Sequence, residues 1–584
     1  MAVVRINIPS KGKLPDKWDE IREDFPMPSP RKFQAEALSV IYWAMENDDF
    51  DNIVLQAPTG IGKSAIAMTI QNQFQSAYLM TPSLGLTDQY KRDYGHKLKE
   101  VRGRNNFPCW VRSGTAKGAP CWTKSGSCRH AKRDVEEPCP YYEQRWDAED
   151  ARLTLSNPAY LFRAVKGYTN FDQREFAIID EAHDMEGFIH DLLEVKLSAK
   201  EWQRVFGAKA LFPNHFTPKD WKIEIDERLD SAKAVLQKAE DELPIKKNEK
   251  EVESIREAVN KLETAVEILA KPSNVHVSFD NNKWGSHLVL KPIRVRQYAA
   301  EILESVAKKR VFLSATILDI ETFLHGLGIE NQKTLYVNIT HSPFPQENFN
   351  VHYTPCGSMS WANRKNTIPK QVKAIDAIMR HYSDKRGVVL PHSHAIRKEL
   401  VEGLRALGHG DRVVTHDGNA VGRKEALDYF FTSERDDLVL ISTYVSQGFD
   451  FKGKLAEWLV ICKVPYLPTQ DPVISERMQQ DEQAWRKLHE DTPSCPYQPP
   501  SKYSGDLCGA GFTCPAPCQK WYQLQTALAI VQGAGRVVRT PDDVGNLFIL
   551  DGGWQRFARN SAHLIPAWFR DNIKDSPNWL KRQL

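Results

Sequence analysis

Short apolar blocks punctuate this chain at intervals that a sheet with crossover helices requires. β-Rich runs stand at Asn52–Gln56, Ala77–Thr81, Phe176–Asp180 and Arg310–Leu313, then at Gly387–Leu390, Leu438–Ser442, Trp458–Cys462 and Leu547–Asp551. Helical patterns follow them. Strands alternating with helices predict parallel sheets covered on both faces, because parallel neighbours need a long connection between them. The runs form two groups, with a change near 340–349. There His341-Ser342-Pro343-Phe344-Pro345 reads as a linker between two α/β lobes.

Two regions interrupt the first lobe. Residues 91–144 are rich in Gly, Pro, Cys and basic residues and show little periodicity. Residues 188–285 are charged and helical. Leu229, Ala232, Leu236, Ala239 and Leu243 repeat at three-four spacing, Pro244 breaks the stripe, and Val252, Ile255, Val259, Leu262, Val266 and Leu269 resume it. Two stripes about a turn predict an antiparallel helical hairpin. It reads as an arm of the same lobe, with a docking coil for a partner protein as the alternative. The expected division is 1–90, 145–187 and 286–345 for the first lobe and 346–584 for the second, with a Cys-rich insertion near 489–520.

The firmest chemistry is phosphate binding. Asn52–Gln56 runs into Ala57-Pro58-Thr59-Gly60-Ile61-Gly62-Lys63-Ser64, and a helix is expected from Lys63. Thr59, Gly60 and Gly62 shape a loop whose N–H groups and helix N-terminus can cradle phosphate oxygens. Lys63 can reach the β/γ-phosphates of ATP, and Ser64 can ligate Mg²⁺. The loop starts with Ala57 where the general pattern has Gly. Phe176–Asp180 ends in Asp180-Glu181-Ala182-His183; Asp180 suits the Mg²⁺ and Glu181 an attacking water. Late in the chain, Gln532-Gly-Ala-Gly-Arg536-Val-Val-Arg539 sets two arginines three apart, on one face if the segment is helical, where they can stabilise charge on the γ-phosphate. Ser314-Ala315-Thr316 and Ser446-Gln447-Gly448-Phe449-Asp450 are candidates for coupling nucleotide state to lobe movement.

Between the two ATP motifs lie Cys109, Cys121, Cys128 and Cys139, separated by eleven, six and ten residues. Thiolate-only ligation suits an iron–sulfur cluster or zinc, and the spacing does not separate them. From Lys91 to Arg133 there are twelve Lys or Arg against two acids, with Tyr94, Phe107, Trp110 and Trp122 interspersed. Cations to follow phosphates and rings to stack on bases are what single-strand binding needs; the alternative is a solvated loop balancing a cluster's charge. A second group, Cys495, Cys508, Cys514 and Cys518, sits among Gly and Pro, with zinc ligation and unligated thiols as its two readings.

Composition changes the picture little. The 584 residues carry a net charge of only +3, so nucleic-acid affinity must come from local patches. The N-terminus lacks the apolar core of a signal peptide, and no stretch is apolar enough to span a bilayer. Ten cysteines without a secretory signal point to a reducing, intracellular compartment, cytoplasmic or nuclear. Cys356 and Cys462 read as core residues. No nuclease constellation is visible.

Together these motifs resemble the superfamily 2 helicases of the XPD/DinG type over most of the chain. The resemblance implies two RecA-like lobes with an iron–sulfur insertion and a helical arch insertion in the first. It implies that Arg31 and Gln34 belong to the adenine-side motif, that Thr81–Gln89 contacts the strand, and that Gly448 and Asp450 match the fifth motif and Gln532, Arg536 and Arg539 the sixth. It also implies a [4Fe–4S] cluster on the first four cysteines and 5′→3′ movement on single-stranded or forked DNA; a monomer is expected. Gln447, Gly552-Gly553, the loose Val389–Ser393 segment, a short arch and the second cysteine group depart from the family pattern. A translocase that strips proteins or R-loops, a redox sensor with a weak ATPase, and an RNA motor are the alternatives.

Overall fold

The structure, a computed structural model, describes residues 3–583 other than 48, 112–113, 118, 120, 122–127, 168–169, 208–211, 243–248, 283–284, 417, 444–450, 452, 491–516 and 539. The chain lays down β1 (Val3–Ile8), β2 (Asn52–Gln56), β3 (Ala77–Met80), β4 (Lys99–Glu100), β5 (Leu153–Ser156) and β6 (Arg174–Asp180). Three strands of an insertion follow, β7 (Val195–Ser198), β8 (Val275–Asn282) and β9 (Gly285–Pro292). It then returns with β10 (Ala307–Ser314) and β11 (Thr334–Ile339). Eight of these pair in the order β1-β11-β2-β10-β6-β3-β5-β4, all parallel. Central strands such as β2, β3 and β10 are buried on both faces, which is why their sequences read as continuous apolar runs.

The second lobe contains β12 (Phe349–Gly357), β13 (Gly387–Leu390), β14 (Val413–Val414), β15 (Val439–Ile441), β16 (Trp458–Ile461), β17 (Gly545–Asp551) and β18 (Ile573–Asp575). They form a parallel sheet in the order β14-β15-β13-β16-β17-β12-β18. These are two RecA-like lobes, joined through 340–348. The eight apolar blocks all fall on strands of the two sheets. Strands at or next to an edge, such as β1, β5 and β18, were not legible, because short or half-polar strands gain their definition from the neighbour they pair with.

Between β6 and β10 stands the helical hairpin, Pro218–Asp241 against Glu249–Leu269. Pro218 opens the first helix, and Thr217 with Asp220 closes a reciprocal cap. Ala232 and Ala239 meet Val252, Ile255, Val259 and Leu262 in the seam, all buried. Each larger seam residue stabilises by about 1.5–3 kcal/mol, and a charge at Ile255 would part the pair. The stretch read as helical from sequence also holds an antiparallel sheet, β7-β9-β8, at the hairpin's base. Alternation such as Val275-His276-Val277 is a period-two signal that the stronger helical stripes obscured. No helix among the described residues is long and apolar enough to cross a membrane.

Candidate active site

β2 feeds into the loop Ala57–Gly62, and a helix runs from Lys63 to Gln71 as its sequence predicts. Gly60 and Gly62 take positive φ, 85° and 86°, which glycine adopts without steric cost. Close approach adds a second requirement. A Cβ on Gly60 would lie 1.8 Å from the ring of Phe344 in the interlobe segment, and one on Gly62 would lie 2.5 Å from Gln34 Nε2. Arg31 Nη1 donates to Gly60 O at 2.5 Å and Gln34 Nε2 to Gly62 O at 3.3 Å, while Gln34 Oε1 accepts the Arg31 N–H at 2.5 Å. The pair placed beside the adenine by resemblance therefore braces the phosphate loop itself.

β6 delivers Asp180, 4% exposed, to the same end of the sheet. Tyr90 Oη donates to Asp180 Oδ2 and the Glu181 N–H to Oδ1, both at 2.9 Å. Burial, and next the Glu181 charge, push the Asp180 carboxyl up to about 6 in spite of nearby Lys63. The Asp180 carboxylate and the Ser64 hydroxyl are hard oxygen donors of the kind that Mg²⁺ takes. Glu181 sits at φ 50°, a region a non-glycine residue occupies at a cost, and its Oε1 is 3.9 Å from Lys63 Nζ.

From here contacts lead to the other lobe. His183 Nδ1 lies 2.9 Å from Ser314 Oγ, and that hydroxyl also accepts the Thr316 N–H at 2.9 Å. Burial alone would depress the His183 imidazole, but Asp184 and Glu181 carry it above its ordinary value. Thr316 Oγ1 then accepts from Gln532 Nε2 at 3.3 Å, across the cleft. Gly535 faces Thr59, since a Cβ there would lie 3.7 Å from Thr59 Cγ2. The helix bearing Gln532 ends at Ala534, so Arg536 lies in the turn beyond it, buried. The shared helical face expected for Arg536 and Arg539 is not formed at Arg536. Gly533 and Gly535 weaken the last turn and Val537-Val538 do not extend it. Arg539 and Asp450 lie outside the described residues, as do Ser446 to Phe449.

A second crossing joins the lobes further out. Arg477 Nη1 donates to Glu186 Oε1 at 2.6 Å, Trp521 Nε1 reaches Glu186 Oε2 at 3.4 Å, and the Arg477 guanidinium lies 3.7 Å from the Trp521 ring centroid. Arg294 pairs with buried Asp481, and Lys520 with Asp319 at 3.1 Å. Glu186 stands six residues after Asp180, so this clamp grips the helix that continues the acidic motif.

Cys121, Cys128 and Cys139 are buried, and Cys109 packs against the first two. Burial raises the Cys128 thiol, with Cys121 and Cys139 close enough to add to it. Arg104 Nη1 points at Cys121 Sγ from 3.5 Å. Among the described residues, however, no three Cys, His, Asp or Glu side chains are drawn close enough to share one metal ion. Of the second group, Cys495, Cys508 and Cys514 lie outside the described residues, and Cys518 falls in the helix Pro517–Ala534. Trp122 is outside them too. Cys356 and Cys462 are buried in the second lobe's core.

Residues 377–572 match the family of helicase C-terminal domains, and 27–216 that of type III restriction enzyme res subunits. An XPD helicase structure superposes with a TM-score of 0.61 at 14% identity, over 94% of this chain and 100% of that one. Xpd4 of S. tokodaii gives 0.55 at 16%, over 94% and 100%. In these matches the chain is similar to helicases, and its fold is that of the XPD structures. The ATP-dependent DNA helicase YoaA of Escherichia coli (strain K12) is 23% identical over 270 residues, 45% of this chain and 36% of YoaA. Regulator of telomere elongation helicase 1 of Rattus norvegicus is 31% identical over 136 residues. That match is 23% of this chain and 9% of the rat protein, so the chain spans a small part of the curated relatives it matches. Tyr90, Phe344, Gln56 and the Glu186–Arg477 clamp carry no motif signal. Gln56 Oε1 receives the N–H groups of Ile317 and Leu318 at 2.8 and 2.6 Å, holding the loop after β10 against the phosphate loop. The polar end of an otherwise apolar strand was the available hint.

Proposed function

We propose that the chain is an ATP-dependent DNA helicase that steps 5′→3′ along single-stranded DNA and opens forked duplexes. The observation that carries this reading is the buried Asp180 carboxylate beside Lys63 and Glu181, with His183, next to Glu181, linked through Ser314 and Thr316 to Gln532 of the other lobe. Lys63 and the loop from Thr59 to Gly62 hold the phosphates, Ser64 and Asp180 hold Mg²⁺, and Glu181 orients the attacking water. Mg²⁺, when bound, neutralises charge between the β- and γ-phosphates. Arg536 and Arg539 complete the site from the second lobe, and Asp450 and Gln532 couple it to movement. Loss of the γ-phosphate then loosens the cross-lobe contacts, and the lobes part by a step.

Cys109, Cys121, Cys128 and Cys139 would hold a [4Fe–4S] cluster that fixes a region poor in core residues, and the Arg104 cation beside Cys121 fits the negative charge of such a centre. Zinc on the second cysteine group, protein partners at the hairpin, a monomeric state and a reducing intracellular compartment complete the proposal. Unwinding of 5′- and 3′-tailed forks tests it, with Lys63→Ala as control. Opening of 5′-tailed forks alone is the expected result. Displacement of streptavidin from a single strand without fork opening would instead make the chain a translocase.

A further inference from the structure

Two aromatic side chains of the second lobe stand in solvent at one end of its sheet. Trp361, 80% exposed, follows β12, and Tyr466, 40% exposed, follows β16. A large ring left in water forfeits the burial that normally accounts for its use. The loops that carry them are not loose. Asp551, at the end of the intervening β17, accepts the Met359 N–H at 3.1 Å, the Val464 N–H at 2.9 Å and the Gly553 N–H at 2.8 Å. One buried carboxylate thus fixes both loops two residues before each ring.

The rings are also backed and charged. Tyr466 stacks on Tyr522 with centroids 5.9 Å apart and planes 10° from parallel, and meets Phe557 edge-on. The Arg364 guanidinium lies 4.0 Å from the Trp361 ring centroid, with Lys365 beside it, and Lys463 precedes Tyr466. Between the two strands β17 runs on into Gly552-Gly553, which carry no side chains. β12 and β16 are two strand spacings apart, about 10 Å, a span that a short run of nucleotides covers.

We propose that Trp361 and Tyr466 form a stacking platform for the bases of a single strand, with Arg364, Lys365 and Lys463 facing its phosphates. The inference rests on the nucleic-acid reading above and adds the residues through which the second lobe grips. Flat rings flanked by cations fit single-stranded nucleic acid better than an apolar protein surface, which would need no cations. Stacking tolerates any base, as a motor that moves through sequence requires.

The test is fluorescence anisotropy with labelled oligo-dT and with an oligonucleotide of equal length whose central sugars carry no bases. Trp361→Ala should weaken oligo-dT binding about tenfold and Tyr466→Ala somewhat less, with an unchanged thermal midpoint, while Trp361→Phe stays near wild type. Wild type should bind the base-free oligonucleotide about as weakly as Trp361→Ala/Tyr466→Ala binds oligo-dT. Equal binding of both oligonucleotides by wild type, or of oligo-dT by all variants, overturns the platform while leaving the motor reading intact. A wild-type protein that binds neither oligonucleotide overturns both.

Discussion

Asp180 and Asp551 occupy equivalent places, each the last residue of an inner parallel strand and each 4% exposed. Their surroundings differ. Asp551 is met by three backbone N–H groups from three loops, so its charge is spent on structure. Asp180 receives one hydroxyl and its neighbour's N–H, and it faces the Glu181 charge. One lobe surrounds its buried acid with three donors, and the other gives its acid two donors beside a second carboxylate. The number of donors around an acid at a strand end thus distinguishes a strut from a group free to take the proposed metal.

Exchanging each acid for its amide separates the two roles. Asp180→Asn should cut Mg²⁺-dependent ATP hydrolysis by about 10³-fold, because the metal is worth several kcal/mol to the transition state. Its thermal midpoint without Mg²⁺ should rise, since a desolvated charge is gone. A hydrolysis rate near wild type would end the metal-ligand reading. Asp551→Asn should act the other way, lowering the second lobe's stability by about 2–4 kcal/mol as an amide N–H₂ faces backbone donors. Calorimetry reads this as a midpoint drop of about 5–10 °C. An unshifted midpoint would mean that the three N–H groups find water instead.

Acid pH sharpens the contrast further. A carboxyl at about 6 rather than the ordinary 3.8 is protonated through the interval between them, and Mg²⁺ must displace that proton. Mg²⁺-dependent hydrolysis should therefore decline below pH 6 by about tenfold per unit. A profile flat down to pH 4.5 would show an unperturbed Asp180. Tyr90→Phe removes the hydroxyl that favours the ionised acid, so its pKa should climb further and Mg²⁺ affinity should weaken by about 1 kcal/mol, measurable by Mg²⁺ titration of the thermal midpoint. No change there would assign Tyr90 to packing alone.

The apolar blocks, the glycine loop before Lys63, the Asp180-Glu181 pair and the hairpin stripes were all readable before any folding, because each is a local pattern with a local cause: period, turn chemistry or strand-end placement. The pairing of weak strands β1, β5 and β18 was not, nor was the sheet β7-β9-β8 beneath the hairpin. Tyr90 at Asp180, Phe344 over Gly60, Gln34 turned to the loop and Arg477 on Glu186 join residues separated in sequence by up to 291 positions, and no single-residue signal foretells such meetings.

By itself the sequence determined that this chain has two α/β lobes, a phosphate loop and an acidic partner for it, since these follow from side-chain periodicity and from the few residues able to bind phosphate and metal. Only the tertiary structure decided which buried acid is met by few donors, that the arginine-bearing segment leaves its helix at Ala534, and that two exposed rings share one pinned sheet end. Burial and hydrogen-bond supply at a point depend on every element that packs there, and that sum exists only once the lobes have formed.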